Sequence, residues 1–266
     1  MRLCSIASGS SGNCIYVGSE ATHLLVDVGI SGKKTESGLN SLGVSAGDLD
    51  GILITHEHAD HISGLGVLAR KYDIPIYATQ GTIQELRSCK SLGGIDEELF
   101  HEVKADQKVI IKDLTVNPMR ISHDAAEPVA YRIGYGSKKV GICTDLGVYN
   151  DYTVECLRGM DAILIEANHD VNMLQVGPYP YYLKQRILGE RGHLSNENSG
   201  RLLSRILHDK LQAIVLGHLS KENNLPELAY EAVRMEITMG DNPYNANDFR
   251  MQVAERCEVS QVINIA

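Results

Sequence analysis

Apolar positions along this chain fall in short runs separated by polar and glycine-rich punctuation, the pattern of strands alternating with amphipathic helices. Arg2–Ala7 and Cys14–Val17 read as short strands on either side of Ser8-Gly9-Ser10-Ser11-Gly12-Asn13, whose small residues and self-capping side chains are turn chemistry. His23–Val28 and Gly51–Ile54 read as buried strands with an amphipathic helix within residues 33–50 between them. Helical spacing resumes from His61 to Tyr72, Ile74–Ala78 is another strand, and Thr79 caps a helix to about Cys89. Val109–Ile111 and Leu114–Ile121 pair around Lys112-Asp113, and Val129–Tyr135 with Lys139–Thr144 repeats the form around Gly136-Ser137. Asp161–Glu166 and Leu211–Gly217 are buried strands, Ser195 caps a helix through His208, and Glu227–Met239 is helical. Arg250–Ala254 and Val259–Ile265 are expected to close a sheet edge. The mixture predicts an α/β fold.

The polar residues that end these runs are not arbitrary. His56, His58, His123, Asp145, Glu166 and His218 each follow directly on a predicted apolar strand. In sheets covered by helices, ligands collect at the carboxyl ends of strands, so six such groups can converge on one site. The densest stretch is Thr55–His61, T-H-E-H-A-D-H. His56 and His58 lie two apart and project to one side of an extended segment, while Asp60 and His61 follow as the chain turns into a helix. Imidazole and carboxylate suit divalent zinc, manganese or iron, and the stretch offers more donors than one four-coordinate ion needs. The spacing therefore predicts two ions side by side: one on His56, His58 and a later histidine, the other on Asp60, His61 and another. Asp145, emerging from G-I-C-T-D, is the natural bridge. Such a pair lowers the pKa of bound water and attracts an anionic substrate, which fits hydrolysis of a phosphodiester, amide, thioester or lactone.

Composition narrows the setting. The 266 residues, 43% of them hydrophobic, fit one large domain or two small ones, and no apolar run reaches the length of a membrane span. The start, M-R-L-C-S-I-A-S-G-S-S-G-N, lacks an export signal's apolar region. Six scattered cysteines without a C-x-x-C pair read as reduced thiols, so a cytoplasmic location is expected. A net charge of −9 argues against a nucleic-acid coat protein but not against an enzyme that holds a phosphodiester with metal charge and a local basic rim.

T-H-E-H-A-D-H, followed by His123, Asp145 and His218, resembles the metallo-β-lactamase superfamily over essentially the whole chain. The resemblance implies an αββα sandwich, a single domain over residues 1–266, and a dinuclear site at the strand ends. It also implies His56, His58 and His123 on the first ion, Asp60, His61 and His218 on the second, and Asp145 between them. A true zinc β-lactamase usually has Cys where Asp145 stands, and flavodiiron proteins have Glu where His58 stands. Ile165-Glu166-Ala167 and Gly192-His193-Leu194-Ser195 look like elements of the nuclease branch, as in tRNase Z, with His193 the proton donor, Glu166 its orienting partner, and Asp60 counted among the catalytic groups. S-G-S-S-G-N-C, L-L-V-D-V-G, I-E-A-N-H-D, G-P-Y-P, G-H-L-S-N-E-N and L-G-H-L-S-K-E-N-N are similar to the YycJ (WalJ) family, which implies a 5′-to-3′ DNA exonuclease using two manganese or zinc ions, with iron an alternative.

Substrate contacts are less sharply written. The Ser8–Asn13 turn is either a plain hairpin loop or, through Ser10 and Asn13, an anion cradle. Between Leu174 and His193, Tyr179, Tyr181 and Tyr182 interleave with Lys184, Arg186 and Arg191 against one acid, Glu190, which suits stacked bases and phosphates or else a packed loop with ordinary surface charges. Asn168 and His169 could add a ligand or a phosphate contact or lie in a solvated loop, and Asp27 could orient a metal-binding histidine or simply cap a turn. Two rival functions stay open at this point: a small-molecule cyclic phosphodiesterase, and a non-catalytic metal-binding partner protein. DNA is the expected partner, a membrane is not, and oligomeric state is unwritten.

Overall fold

The computed structural model describes residues 1–266, which fall into two compact units. The first comprises residues 1–120, 125–138 and 255–266, and the second residues 121–124 and 139–254.

In the first unit Arg2–Ala7 (β1), Cys14–Gly18 (β2) and His23–Val26 (β3) run antiparallel, each paired with the next. Helix Gly32–Ser41 (α1) leads on to Gly51–Leu53 (β4), which pairs parallel with β3. Two short helices, Ala59–Ile62 (α2) and Leu65–Tyr72 (α3), return the chain to Ile76–Ala78 (β5), and Gln80–Ser88 (α4) to Phe100–Glu102 (β6), both parallel additions. β3 and β4 are continuous apolar runs because they are buried on both faces: Leu24, Leu25, Val26, Ile52 and Leu53 are all inaccessible. Leu25, Ile52, Ile54, Leu65, Leu68 and Ile83 meet in one core. Val109–Ile111 (β7), Leu114–Arg120 (β8) and Val129–Tyr135 (β9) complete the unit as an antiparallel meander.

The second unit is a parallel sheet in chain order. Lys138–Cys143 (β10), helix Asp151–Leu157 (α5) and Ala162–Glu166 (β11) are followed by Val171–Val176 (α6), Tyr181–Leu188 (α7) and Asn196–Ile206 (α8). Ala213–Gly217 (β12), Pro226–Met239 (α9) and Arg250–Val253 (β13) finish it. Parallel register aligns the carboxyl ends of β10, β11 and β12, where Asp145, Glu166 and His218 stand. No helix is long and apolar enough to cross a membrane.

The expected elements are present with three differences. The helix expected within residues 33–50 stops at Ser41, because Gly43 enters the left-handed region at φ +73° and Ser45 caps a separate short turn. The helix expected from His61 to Tyr72 is broken at Gly64, where a side chain would stand 2.0 Å from the carbonyl oxygen of Ile30. The two C-terminal segments do not share one edge: β13 borders the second unit's sheet, whereas Ile263–Asn264 pairs antiparallel with β1 in the first.

Candidate metal centre and acid–base pair

In the first unit the parallel pair β3 and β4 sends two polar turns out of the same sheet end. Asp27 follows β3 in left-handed backbone, φ +62°, and its carboxylate accepts the N–H and hydroxyl of Thr55 at 2.8 Å each and Nδ1 of His61 at 2.7 Å. A buried carboxylate on one ring nitrogen fixes the tautomer and directs the other nitrogen, the arrangement found behind metal-binding histidines. Nε2 of His61 then lies 3.5 Å from a carboxylate oxygen of Asp60. The ring of His56 is 4.6 Å from that of His58 and 4.1 Å from that of His61, so the four candidate ligands of T-H-E-H-A-D-H form one group. His56 and His61 are fully buried and His58, at the N-cap of α2, is half-buried.

The Ser8–Asn13 turn packs against this group. Asn13 is inaccessible; its backbone N–H and side-chain amide both donate to the Asp60 carbonyl, at 2.8 and 3.4 Å, and Nδ2 stands 3.2 Å from Nε2 of His61. Gly29 of L-L-V-D-V-G lets the chains approach so closely, since a Cβ there would sit 1.7 Å from the same carbonyl. Ser10 is exposed at the tip of the turn. Of the two candidate substrate contacts in this loop, the structure turns one outward and the other inward.

The second unit gathers its own set. Asp145 follows β10 at φ +57° and His218 follows β12 at φ +54°, both in backbone that non-glycine residues adopt rarely and that recurs at functional sites. One oxygen of Asp145 lies 3.7 Å from Nε2 of His123 and 3.6 Å from Nδ1 of His193, while the other lies 3.1 Å from Nδ1 of His218. A carboxylate that turns one oxygen toward His123 and His193 and the other toward His218 has the form of a bridge. Nδ1 of His123 donates to the carbonyl of Gly192 at 3.1 Å, again directing Nε2 inward. Asp145, Glu166, His193 and His218 each place a ligand atom within 4.8 Å of the others. Hard carboxylate oxygens and imidazole nitrogens, buried and oriented by second partners, fit a divalent cation.

Glu166 is committed to His193. Its Oε1 accepts Nδ1 of His193 at 2.7 Å, and its Oε2 accepts the backbone N–H groups of Leu146 and Leu194 at 2.9 and 3.1 Å. Glu166 is inaccessible, whereas His193 keeps 18% of its side chain in solvent, where a substrate can reach it. Burial pushes the His169 imidazole down to about 4 against the pull of the Glu166 carboxylate, so it is neutral, with Nε2 buried and without a hydrogen-bond partner. Arg186 pairs with Asp124 and Arg191 donates to the His123 carbonyl at 3.0 Å, which fastens both beside a candidate ligand.

One supporting layer is legible in the sequence only through Asn168, whose side chain bonds to backbone where a ligand or phosphate contact is expected. Asn168 donates to the carbonyl of His218 at 2.9 Å; Asn224 donates to the carbonyls of Ala167 and Asn168 and to the side chain of Asn196. Asn168 thus anchors the carbonyl of left-handed His218, and buried Asn224 and Asn196 brace the backbone of Asn168. Their signal was three amides in I-E-A-N-H-D, S-N-E-N and K-E-N-N, each next to a strand or helix end and without any period.

Comparisons with known proteins bear on the family and the fold. The sequence model of the beta-lactamase superfamily domain matches residues 22–218. The exodeoxyribonuclease WalJ of Streptococcus pneumoniae serotype 2 is 43% identical over 236 residues, 89% of this chain and 88% of the relative. The exodeoxyribonuclease YycJ of Bacillus anthracis is 41% identical over 236 residues, 86% of each chain. Among solved structures, the metallo-β-lactamase fold protein YhfI from Bacillus subtilis superposes with a TM-score of 0.72 at 18% identity, over 97% of this chain and 98% of that one. That likeness gives the fold: the α/β sandwich expected from the sequence.

Proposed function

The chain belongs to the beta-lactamase superfamily, and from that premise we propose that it is a metal-dependent exodeoxyribonuclease, working as one functional domain and removing nucleotides from the 5′ end of DNA. His56, His58 and His123 would hold one divalent ion, Asp60, His61 and His218 a second, with Asp145 shared; manganese or zinc suits these donors, and iron is compatible. When bound, such ions neutralise a phosphodiester and make water acidic enough to attack it near neutral pH.

The protein's own residues supply the rest. Nδ1 of His193 is taken by Glu166, so Nε2 is the nitrogen that delivers a proton to the departing sugar oxygen. Glu166, anchored by two backbone N–H groups, keeps the ring from rotating. Asp60 serves both as a ligand and in orienting the attacking side of the site. Arg186 and Arg191, pinned beside His123, contact phosphates, and the turn carrying exposed Ser10 contacts the strand as well, with Asn13 holding that turn against Asp60; His169, expected from the sequence to meet a phosphate, is buried and makes no such contact. Six cysteines, none of them in a disulfide, support a cytoplasmic setting.

The 2.7 Å Glu166–His193 pair beside Asp145 and His218 carries this reading. It is an acid–base device aimed at a leaving group, which a metal-storing partner protein would not need. The test is a linear duplex labelled at either end, run beside a 5′-phosphorylated single strand, RNA and a cyclic nucleotide, with Asp145→Ala as the blank. Mononucleotides released from the 5′ end by the unaltered protein alone support the proposal. Intact DNA beside a cleaved cyclic nucleotide would replace it with a small-molecule phosphodiesterase.

A further inference from the structure

Helix α7 presents an aromatic face that the fold does not use. Tyr181 and Tyr182 are 77% and 75% exposed, among the most exposed large side chains of the protein. Ile187 is buried and Leu183 and Lys184 are half-buried, so the helix is seated by its other side. Tyr182 and Arg186 are four residues apart and share one face. Along that face Arg186 reaches Asp124, next in sequence to His123. Beyond the helix, Ser122 donates to the carbonyl of Glu190 at 2.8 Å, Arg191 donates to that of His123, and His123 donates to that of Gly192. The platform is thus tethered, bond by bond, to the strand end that carries a candidate metal ligand and to the loop that carries His193.

We propose that Tyr181 and Tyr182 are a stacking platform for unpaired bases of the DNA strand being degraded, and that they make the protein select single-stranded or fraying ends. The inference rests on the exodeoxyribonuclease reading. Single-strand binders combine sequence-tolerant aromatic faces with cations along the backbone. This segment has that composition, within a chain whose net charge is −9: Arg186, paired with Asp124, and Arg191 lie beyond the tyrosines, and Lys184, on the seated side, donates to the Gln175 carbonyl at 2.7 Å, against the single acid Glu190. Tyrosine and arginine also occur together at protein interfaces, so the choice of DNA rests on the excess of cations in this stretch and on its tether to the strand end that carries His123.

The chain contains no tryptophan, so Tyr182→Trp installs a single reporter at the platform. Titrating the metal-loaded variant with a nuclease-resistant phosphorothioate oligothymidylate should quench its emission. In the Tyr181→Ala/Tyr182→Ala variant the same strand should bind roughly 10- to 100-fold more weakly, since one stacked base is worth about 1–3 kcal/mol. Hydrolysis of a small ester, bis(4-nitrophenyl) phosphate, should be unchanged, and Tyr→Phe at both positions should restore strand binding. Undiminished strand binding by the alanine pair, or emission unmoved at saturation, overturns the platform and leaves the face to a protein partner. If the unaltered protein degrades no DNA, the exonuclease reading falls, and quenching still decides whether the platform binds single strands.

Discussion

Replacing Glu166 by Gln changes no volume but removes one acceptor. The carboxylate takes three donors: Nδ1 of His193 on one oxygen and the N–H groups of Leu146 and Leu194 on the other. A glutamine oxygen can satisfy either the two backbone groups or the imidazole, and its NH2 then faces a donor. Keeping the backbone bonds turns the amide NH2 toward His193, which must present a lone pair at Nδ1 and loses the charge that supports its protonated form. A buried donor left unsatisfied costs about 1–3 kcal/mol, so the variant should still fold with a modest loss of stability. Loss of a positioned general acid should lower kcat on DNA by about 10²–10⁴-fold with KM little changed. The assay is single-turnover release of a labelled nucleotide from DNA, run beside the 4-nitrophenyl ester of thymidine 5′-phosphate. Nitrophenolate leaves without a proton, so Glu166→Gln and His193→Ala should both spare the ester while crippling DNA cleavage. Equal losses on both substrates would refute the acid assignment, and no loss on either would remove Glu166 and His193 from the reaction.

Other outcomes follow from the same geometry. Asp27→Asn should weaken metal binding by about 10- to 100-fold, because His61 loses the carboxylate that directs its Nε2; competition with a chelator reads this, and unchanged affinity would mean Asp27 only caps a turn. The His169 imidazole sits at about 4 in the folded protein against an ordinary 6.5, so the unfolded chain binds its proton first as pH falls. Stability should be full above pH 6.5 and decline toward pH 4 by about 3 kcal/mol from this group, and denaturant unfolding of His169→Gln should lose that share of the slope. Burial pushes the thiols of Cys14 and Cys143 far up and that of Cys4 to about 11, so a chromogenic disulfide should titrate exposed Cys257 quickly, half-buried Cys89 slowly, and the four buried thiols only on unfolding.

Strand ends were the legible part of this sequence. A fully buried parallel strand must be a continuous apolar run, so a His, Asp or Glu closing one is visible without a structure, and Asp145, Glu166 and His218 were found that way. The dipeptide Asp60-His61 was equally plain, but its support was not: the close approach of Gly29 and the inward amide of Asn13 depend on contacts between segments distant in the chain. Gly64 broke an expected helix for the same reason, a carbonyl of Ile30 that only the fold brings near. Helix α5 was missed because its seven residues are too few to show a period, and the short edge strand β6 because its residues are largely exposed. The asparagines behind His218 illustrate the general limit. An amide that holds a backbone looks, in sequence, like any polar loop residue.

The proposed reaction needs ligands from distant parts of the sequence on two ions at once. Metal-free protein titrated with manganese or zinc, with bound ions and 5′-nucleotide release followed together, tests it most directly. Two ions should bind per chain, DNA cleavage should rise with the second equivalent, and both the second ion and cleavage should be lost in Asp145→Ala. Full cleavage with a single ion, or an Asp145→Ala protein that still binds two ions and cleaves DNA at the unaltered rate, would contradict it.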